Sequence, residues 1–376
     1  MDEKNNRIPN VLYLDSALEM GGAERLLVDL FTCHMEMDTI RLKLSYLIMN
    51  DKIDRSLQEV LLASGAHGDF WNRREGDKNI SWLFKLRKHI RNNGINIIHT
   101  NTTGSKYWGM VMKLLCPGVK LVHTVHNAFE VPKYTRFQLQ LSRRFVNHFV
   151  AISSIAYEQC INRDLTKVSK IYNGFAVSEC RQKVDYDIDG IPEIVLLGRL
   201  VPEQKGHDIV LEALSICLAR SVPIRITFFG DDTGPYAQAY HLLLKQMERL
   251  EIPKDLVVFK GQVDDARSQL ADFDLYISAA PNEGFGIAVV EAMASKIPVI
   301  VSASGGPLEY TEDGVNGFLF QPKDAQSLAD TIINVVHLSP QQRKDVATRS
   351  RQTAMSYDIS NMYHLYSELY RRLINK

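Results

Sequence analysis

The feature that most constrains this chain is an alternation of short apolar runs with longer amphipathic segments, which occurs twice. In the first half, Val11–Asp15, Ile40–Ile48, Ile95–Thr100, Lys120–Val125 and His148–Ser153 read as buried strands. Helical spacing marks Ala23–Met35, Ile53–Ala63, Ser81–Asn92, Gly104–Leu115, Tyr134–Asn147 and Ser154–Asn162 between them. Gly174 to Pro192 is polar, rich in Asp and without period, so it reads as a linker. Strands Glu193–Leu197, Ile224–Phe229, Leu256–Phe259, Leu275–Ser278 and Pro298–Ser302 then alternate with helices Gly206–Ala219, Pro235–Leu250, Ala266–Asp272, Ile287–Ser295 and Asp324–His337. Strands separated by helices require a mostly parallel sheet covered on both faces. The expected fold class is therefore α/β, with two tandem Rossmann-like, doubly wound domains. In such sheets ligands bind beyond the carboxyl ends of the strands, and two facing units would share one cleft. A last helix, Ser360 to Leu373, is free to pack on either unit.

Composition narrows the function. The 376 residues hold 44 Lys plus Arg and 44 Asp plus Glu, so a nucleic-acid binder with a basic excess is not expected. The balance conceals an asymmetry. Residues 1–176 carry 24 basic and 17 acidic side chains, a net of +7, and the remainder carry 20 and 27, a net of −7. Such a difference fits an anionic contact on one side, or attraction between the halves. Five widely spaced cysteines without a C-x-x-C fit reduced thiols and a cytoplasmic location. Met1 to Asn10 is polar, the first apolar run is too short for a signal peptide, and no stretch reaches ~18 apolar residues.

Three segments carry chemistry. Gly21-Gly22 lies between the first strand and its helix, where glycine admits a ligand to the backbone and helix amides favour an anion. It also reads as a plain tight turn, and neither G-x-G-x-x-G nor a Walker A loop occurs. Arg199 and Lys205 follow strand Glu193–Leu197 in the Gly-bounded loop 198–206, and both suit a pyrophosphate. Pro281 to Glu291 is the richest stretch. Glu283 sits in a loop with Gly284, Phe285 and Gly286, and Ile287 opens a helix whose amides could hold phosphate. Glu291 lies a turn inside that helix. The plainer reading makes Glu283 a turn residue and Glu291 a solvated one.

Together these motifs resemble the family 4 retaining glycosyltransferases. Two Glu separated by seven residues, 283 and 291, look like the family signature. Gly-Arg-x5-Lys-Gly at 198–206, Gly21-Gly22-Ala-Glu-Arg25, Val125-His126-Asn127, Ala151-Ile-Ser-Ser154 and Ile171-Tyr-Asn-Gly174 follow in the expected order. The resemblance implies the GT-B fold, with an acceptor-side domain 1–175 plus 358–376 and a nucleotide-sugar domain 176–357. It implies that Arg199 and Lys205 grip the diphosphate, Glu291 binds ribose and Glu283 binds the donor sugar. Gly284, Phe285, Gly286 and Ile287 would complete that donor site. Backbone at Gly261–Val263 would face the base, Gly21 and Gly22 would approach the diphosphate, and His126 would lie near the sugar. Glu283, His126, Arg199 and Lys205 are then the catalytic candidates. The last helix would cross back to the first domain. Tyr172-Asn173 departs from the family, which often has Pro before Asn, and this weakens any role for Asn173.

Metal sites are not expected. Asp272-Phe-Asp274 and Asp187-Ile-Asp189 spell D-x-D, but Asp272 ends a helix and Asp274 opens a strand. His123 and His126, three apart on a strand, would face opposite sides. Gly-x-Ser-x-Gly is absent, so a hydrolase elbow has no support. The expectation is metal-independent transfer without a cofactor, the nucleotide sugar being a co-substrate and a UDP-sugar favoured over a GDP-sugar. The acceptor would be a saccharide or lipid-linked saccharide in cell-surface polysaccharide synthesis. A nucleotide-sugar epimerase, a phosphorylase and a non-catalytic sugar-nucleotide-binding subunit are the alternatives. Trp82 to Arg91 is a basic amphipathic helix, which suits either an anionic membrane surface or a solvated face, and Arg143-Arg144 add to the charge.

Overall fold

A computed structural model describes residues 7–19, 21–37, 41–126, 130–263 and 265–375. Ile40, Asn127 and the charged stretch through residue 6 lie outside these. The described chain forms two compact units, one of residues 1–175 with 359–376 and one of 176–358.

Unit 1 runs β1 (Asn10–Asp15), α1 (Gly22–Glu36), β2 (Lys43–Asn50), α2 (Arg55–Ala63), β3 (Gly68–Arg73), α3 (Ser81–Asn92), β4 (Ile97–Thr100), α4 (Thr103–Leu115), β5 (Lys120–Val125), α5 (Arg136–Phe145), β6 (His148–Ala151), α6 (Ser154–Asn162) and β7 (Val168–Lys170). Its strands form one parallel sheet in the order β3-β2-β1-β4-β5-β6-β7. Val11, Leu12 and Leu14 are fully buried, as a central parallel strand with both faces covered demands. Unit 2 runs β8 (Glu193–Leu197), α7 (Pro202–Lys205), α8 (His207–Ala219), β9 (Arg225–Phe229), α9 (Ala237–Arg249), β10 (Val257–Phe259), α10 (Ala266–Gln269), β11 (Leu275–Ser278), α11 (Ile287–Ala294), β12 (Val299–Ser302), β13 (Phe318–Phe320), α12 (Ala325–Val336) and α13 (Pro340–Met355). Its parallel sheet has the order β10-β9-β8-β11-β12-β13. In both sheets the strand order reverses once, between β1 and β4 and between β8 and β11. These switch points are where a crevice opens at the strand ends.

Several elements differ from the sequence reading. β3 and β7 are the edge strands of the first sheet, and an edge strand needs no apolar run. β13 is only three residues long. α13 escapes a periodicity search because Arg343 and Ser350 interrupt the small apolar residues of its buried face. Arg343 is buried there and donates to the carbonyl oxygens of Tyr186, Val336 and Leu338. Helix α5 is shorter than its amphipathic pattern, since Thr135 caps it and forms a reciprocal box with Gln138. The segment read as a linker is tied to unit 2. The Lys183 amide donates to the Ser295 carbonyl at 2.8 Å, and the Tyr186 hydroxyl to that of Lys296 at 2.8 Å.

Helix α14 (Ile359–Ile374) belongs to unit 1. Three tyrosines one turn apart knit it to the sheet and to α1. The Tyr370 hydroxyl lies 2.6 Å from both the Tyr13 hydroxyl and His99 Nδ1. Tyr366 reaches Thr124 at 3.1 Å, and Tyr363 reaches His34 Nδ1 at 3.0 Å.

Candidate functional site

The switch point of the second sheet gathers most of the expected donor residues. Arg199 stands exposed just past β8. Lys205 ends the one-turn helix α7, and Gly206 stops that helix at φ +74°. A Cβ on Gly206 would lie 2.3 Å from the Ala279 carbonyl oxygen, so only glycine lets the turn sit against the end of β11. That contact brings Lys205 Nζ to 2.7 Å from Glu283 Oε2.

The Glu283 loop is held from behind by the turn after β12. The Gly306 amide donates to the Glu283 carbonyl at 2.9 Å, and a Cβ on Gly305 would fall 2.1 Å from that same oxygen. The Tyr310 hydroxyl donates to the Phe285 carbonyl at 2.8 Å and approaches that of Gly286 at 3.1 Å. The sequence reading missed Gly305, Gly306 and Tyr310. Ser-Gly-Gly-Pro just after an apolar run was the available signal. Gly286, at φ +83°, precedes Ile287 at the start of α11 without a side-chain cap on the helix amides. An uncapped helix start at a strand end is suited to an anion.

Glu291 is buried, contrary to the plainer reading of it as solvated. Its Oε1 lies 2.6 Å from Arg267 Nε, and Arg267 also lies 3.6 Å from Glu179. Nothing in the sequence singles out Arg267, which lies in a polar helix but is itself buried. The loop bearing Val263 leads directly into that helix. It is joined to the neighbouring strand end by the Gly230 amide, which donates to the Gly261 carbonyl at 3.0 Å. Arg267 thus links the Val263 loop to Glu291.

The Asp272/Asp274 pair serves the frame. Asp274 takes Lys183 Nζ at 3.1 Å and the Glu193 amide at 3.0 Å, and Asp272 pairs with Arg181. Among the described residues no group of three or more His, Cys, Asp or Glu is placed to hold a metal ion.

In unit 1, Gly21 precedes α1 in an extended conformation and gives it no side-chain cap, and Gly22 is exposed. His126 lies just beyond β5. Its Nε2 is 3.3 Å from Asn101 Oδ1, and Asn101 Nδ2 is 2.9 Å from Asp15 Oδ2. Burial lowers the His126 pKa to about 4, with nearby His123 adding to the effect. His123 turns elsewhere, with Nε2 3.3 Å from Glu130. Burial pushes the Glu130 carboxyl up, but hydrogen bonds from His123, Tyr134 and Thr103 outweigh it and hold the group well below its usual range. These bonds, with Lys106 Nζ at 3.7 Å, anchor Glu130 just past the loop that carries His126.

Comparison with known proteins relates each half of the chain to a glycosyltransferase group. Residues 20–179 match Glycosyltransferase Family 4 and residues 181–353 match Glycosyl transferases group 1. The chain is a GT-B-fold glycosyltransferase related to these two groups. Over 96% of its length this glycosyltransferase shares the fold of HepE from Anabaena, solved with UDP and glucose, at a TM-score of 0.79, 22% identity and 99% coverage of that chain. It is 29% identical over 180 residues to Protein CapJ of Staphylococcus aureus, covering 47% of this chain and 43% of that protein. It is 24% identical over 291 residues to sulfoquinovosyl transferase SQD2 of Arabidopsis thaliana, covering 70% and 54%. The chain thus spans about half the length of these two relatives.

Proposed function

We propose that the glycosyltransferase moves a sugar from a UDP-sugar to a saccharide or lipid-linked saccharide, with retention of anomeric configuration. The observation that carries this reading is the placement of Arg199, Lys205, Glu283 and an uncapped helix start at one switch point. The cations and amides suit a diphosphate, and Glu283 beside them suits sugar hydroxyls. Buried Glu291 suits the ribose, the Val263 loop the base, and His126 the transferred sugar. Gly21 and Gly22, at the uncapped start of α1, suit a phosphate as well. HepE, solved with UDP and glucose, supports UDP as the nucleotide. The colanic acid glycosyltransferase WcaL (putative) and the lipopolysaccharide core glycosyltransferase LpsE, 29% and 30% identical over about two-fifths of this chain, support cell-surface polysaccharide as the setting.

The step breaks the bond from the anomeric carbon to the phosphate oxygen. It forms the bond to the acceptor oxygen on the same face. The acceptor proton passes to the departing phosphate, while Arg199, Lys205 and the helix amides stabilise the negative charge. No carboxylate is assigned beneath the anomeric carbon, so this same-face route is preferred to double displacement.

Incubating the protein with a panel of UDP- and GDP-sugars and lipid extracts, then weighing products by mass spectrometry, tests the reading. A glycosylated acceptor and free UDP are expected. An altered nucleotide sugar without acceptor would point instead to an epimerase, phosphate-dependent turnover to a phosphorylase, and binding without turnover to a non-catalytic subunit.

Contact with an anionic membrane at the cytoplasmic face is proposed for the first unit. On α3, Phe84, Lys88 and Arg91 are exposed, while Lys85 Nζ lies over the Trp71 and Trp82 rings and Arg87 Nε donates to the Leu115 carbonyl. Lys88→Glu/Arg91→Glu is therefore the variant that changes surface charge with least disturbance of packing. It should weaken salt-sensitive cosedimentation with phosphatidylserine vesicles. Binding equal to that on neutral vesicles would reject the contact. No helix of the described residues is long and apolar enough to cross a membrane.

A further inference from the structure

At the switch point of the first sheet, three side chains from three strand ends form a line. Asp15 ends β1, Asn101 follows β4 and His126 follows β5. A carboxyl oxygen 2.9 Å from Asn101 Nδ2 accepts from that amide, and this turns Asn101 Oδ1 toward His126. An amide oxygen only accepts, so the His126 nitrogen 3.3 Å away must be the one that carries hydrogen. Burial keeps the imidazole neutral near pH 7, and a neutral ring has one donor and one acceptor nitrogen. Asn101 and His126 also line a small cavity with Ala23, Leu26 and Tyr366.

We infer that Asn101, itself oriented by Asp15, is a positioning residue that fixes His126 in its Nε2–H tautomer and so keeps Nδ1 as an acceptor for a sugar hydroxyl. The sugar as occupant rests on the function proposed above; the tautomer rests on the hydrogen-bond geometry and on burial of the ring. The arrangement selects for a donor hydroxyl and against an acceptor group at that spot. Asp15 gives Asn101 a direction that water alone would not impose.

Two measurements separate the inference from the reading beneath it. Histidine-selective 15N labelling and long-range 1H–15N correlation at pH 7 read the tautomer directly, with the His126 signals assigned by their loss in His126→Gln. The wild-type protein should show one Nε2–H tautomer. Asn101→Leu, and Asn101→Ala should the first not fold, should give a mixture of tautomers. Asp15→Asn retains an oxygen for the Asn101 amide and should keep the wild-type tautomer, whereas Asp15→Leu should lose it. A wild-type Nδ1–H tautomer, or one unmoved by both changes at Asn101, overturns the inference. The second measurement is UDP release from UDP-glucose. Asn101→Leu should lower kcat about two- to tenfold, the size of one hydrogen bond, with UDP affinity unchanged. Asn101→Leu should add nothing to the loss already caused by His126→Ala, and independent multiplying losses would count against the line of three. A wild-type protein that releases no UDP strikes the donor reading alone and leaves the tautomer result standing.

Discussion

Lys205 Nζ and Glu283 Oε2 lie 2.7 Å apart, although the function proposed for them sends one to a phosphate and the other to a sugar. The pair holds both side chains at the site before any donor binds. A diphosphate would compete with Glu283 for the ammonium, so under the proposed roles nucleotide binding would free the carboxylate for the sugar.

Glu283 and Glu291 should therefore fail differently. Glu283→Gln removes a competitor for Lys205, so calorimetry should find UDP affinity unchanged or tighter while turnover falls. Glu291→Ala should weaken UDP itself by about one to two decades, the worth of a charge-assisted hydrogen bond of ~1.5–3 kcal/mol. Equal loss of UDP binding in both variants would refute the division of roles.

Arg267 is the counter-charge for Glu291, and both are buried. Replacing it by Met leaves a carboxylate without its guanidinium and should cost about 3–5 kcal/mol in denaturant unfolding of unit 2. Arg267→Met/Glu291→Leu should recover much of that loss while remaining unable to bind UDP tightly. A double variant as unstable as the sum of both single ones would count against a mainly electrostatic partnership.

Gly305 has φ +71°, and a Cβ there would strike the Glu283 carbonyl. Gly305→Ala is expected to lower the thermal midpoint and to reduce turnover more than UDP affinity, because it displaces the loop of Glu283, proposed to hold the sugar. Gly118→Ala, also at positive φ but with open space around it, controls for backbone strain alone. If the two variants lose turnover alike, strain rather than the collision is responsible.

Acid should destabilise the protein well before its carboxylates titrate as a class. Burial lowers His207 and His126 from 6.5 to about 4, so between those values the unfolded chain binds protons that the native one refuses. Stability then falls as pH drops, by up to ~1.4 kcal/mol per pH unit for each such group. Asp15 acts in the opposite sense. Burial raises it from 3.8 to about 7, so acidification through 7 favours its native form. Melting curves from pH 7 to pH 4.5 should show a net loss, flattened in His207→Gln and steepened in Asp15→Asn. A pH-independent His207→Gln effect would contradict the burial argument.

How much of this was legible in the sequence depended on whether a residue announces itself by type or only by its surroundings. Apolar runs fixed to a buried parallel sheet, such as Val11–Leu14 and Leu275–Ser278, are conspicuous because both faces must be dry. The short and edge strands β3, β7 and β13 carry no such pressure, and α13 substitutes a hydrogen-bonded Arg343 for an apolar knob. At the site, Arg199, Lys205, Glu283 and the glycines stood out because charge beside glycine at a strand end is unusual. Arg267, Asn101 and Asp15 did not, since their partners are distant in the chain and come from separate loops. Asn101 meets residues 86 positions before it and 25 after it. No local pattern encodes such a meeting.

The docking of α14 has a consequence for how the protein is made. Tyr13 waits for Tyr370, its hydrogen-bond partner 357 positions later. A ribosome releases the whole of unit 2 before it delivers the segment that closes the first core. During synthesis the second unit is therefore able to reach its native state while the first, though begun earlier, still exposes the groove that α14 will fill. A stop codon ahead of residue 359 would spare unit 2 and strike unit 1, so the late tyrosines act as the latch on the part of the enzyme that was translated first.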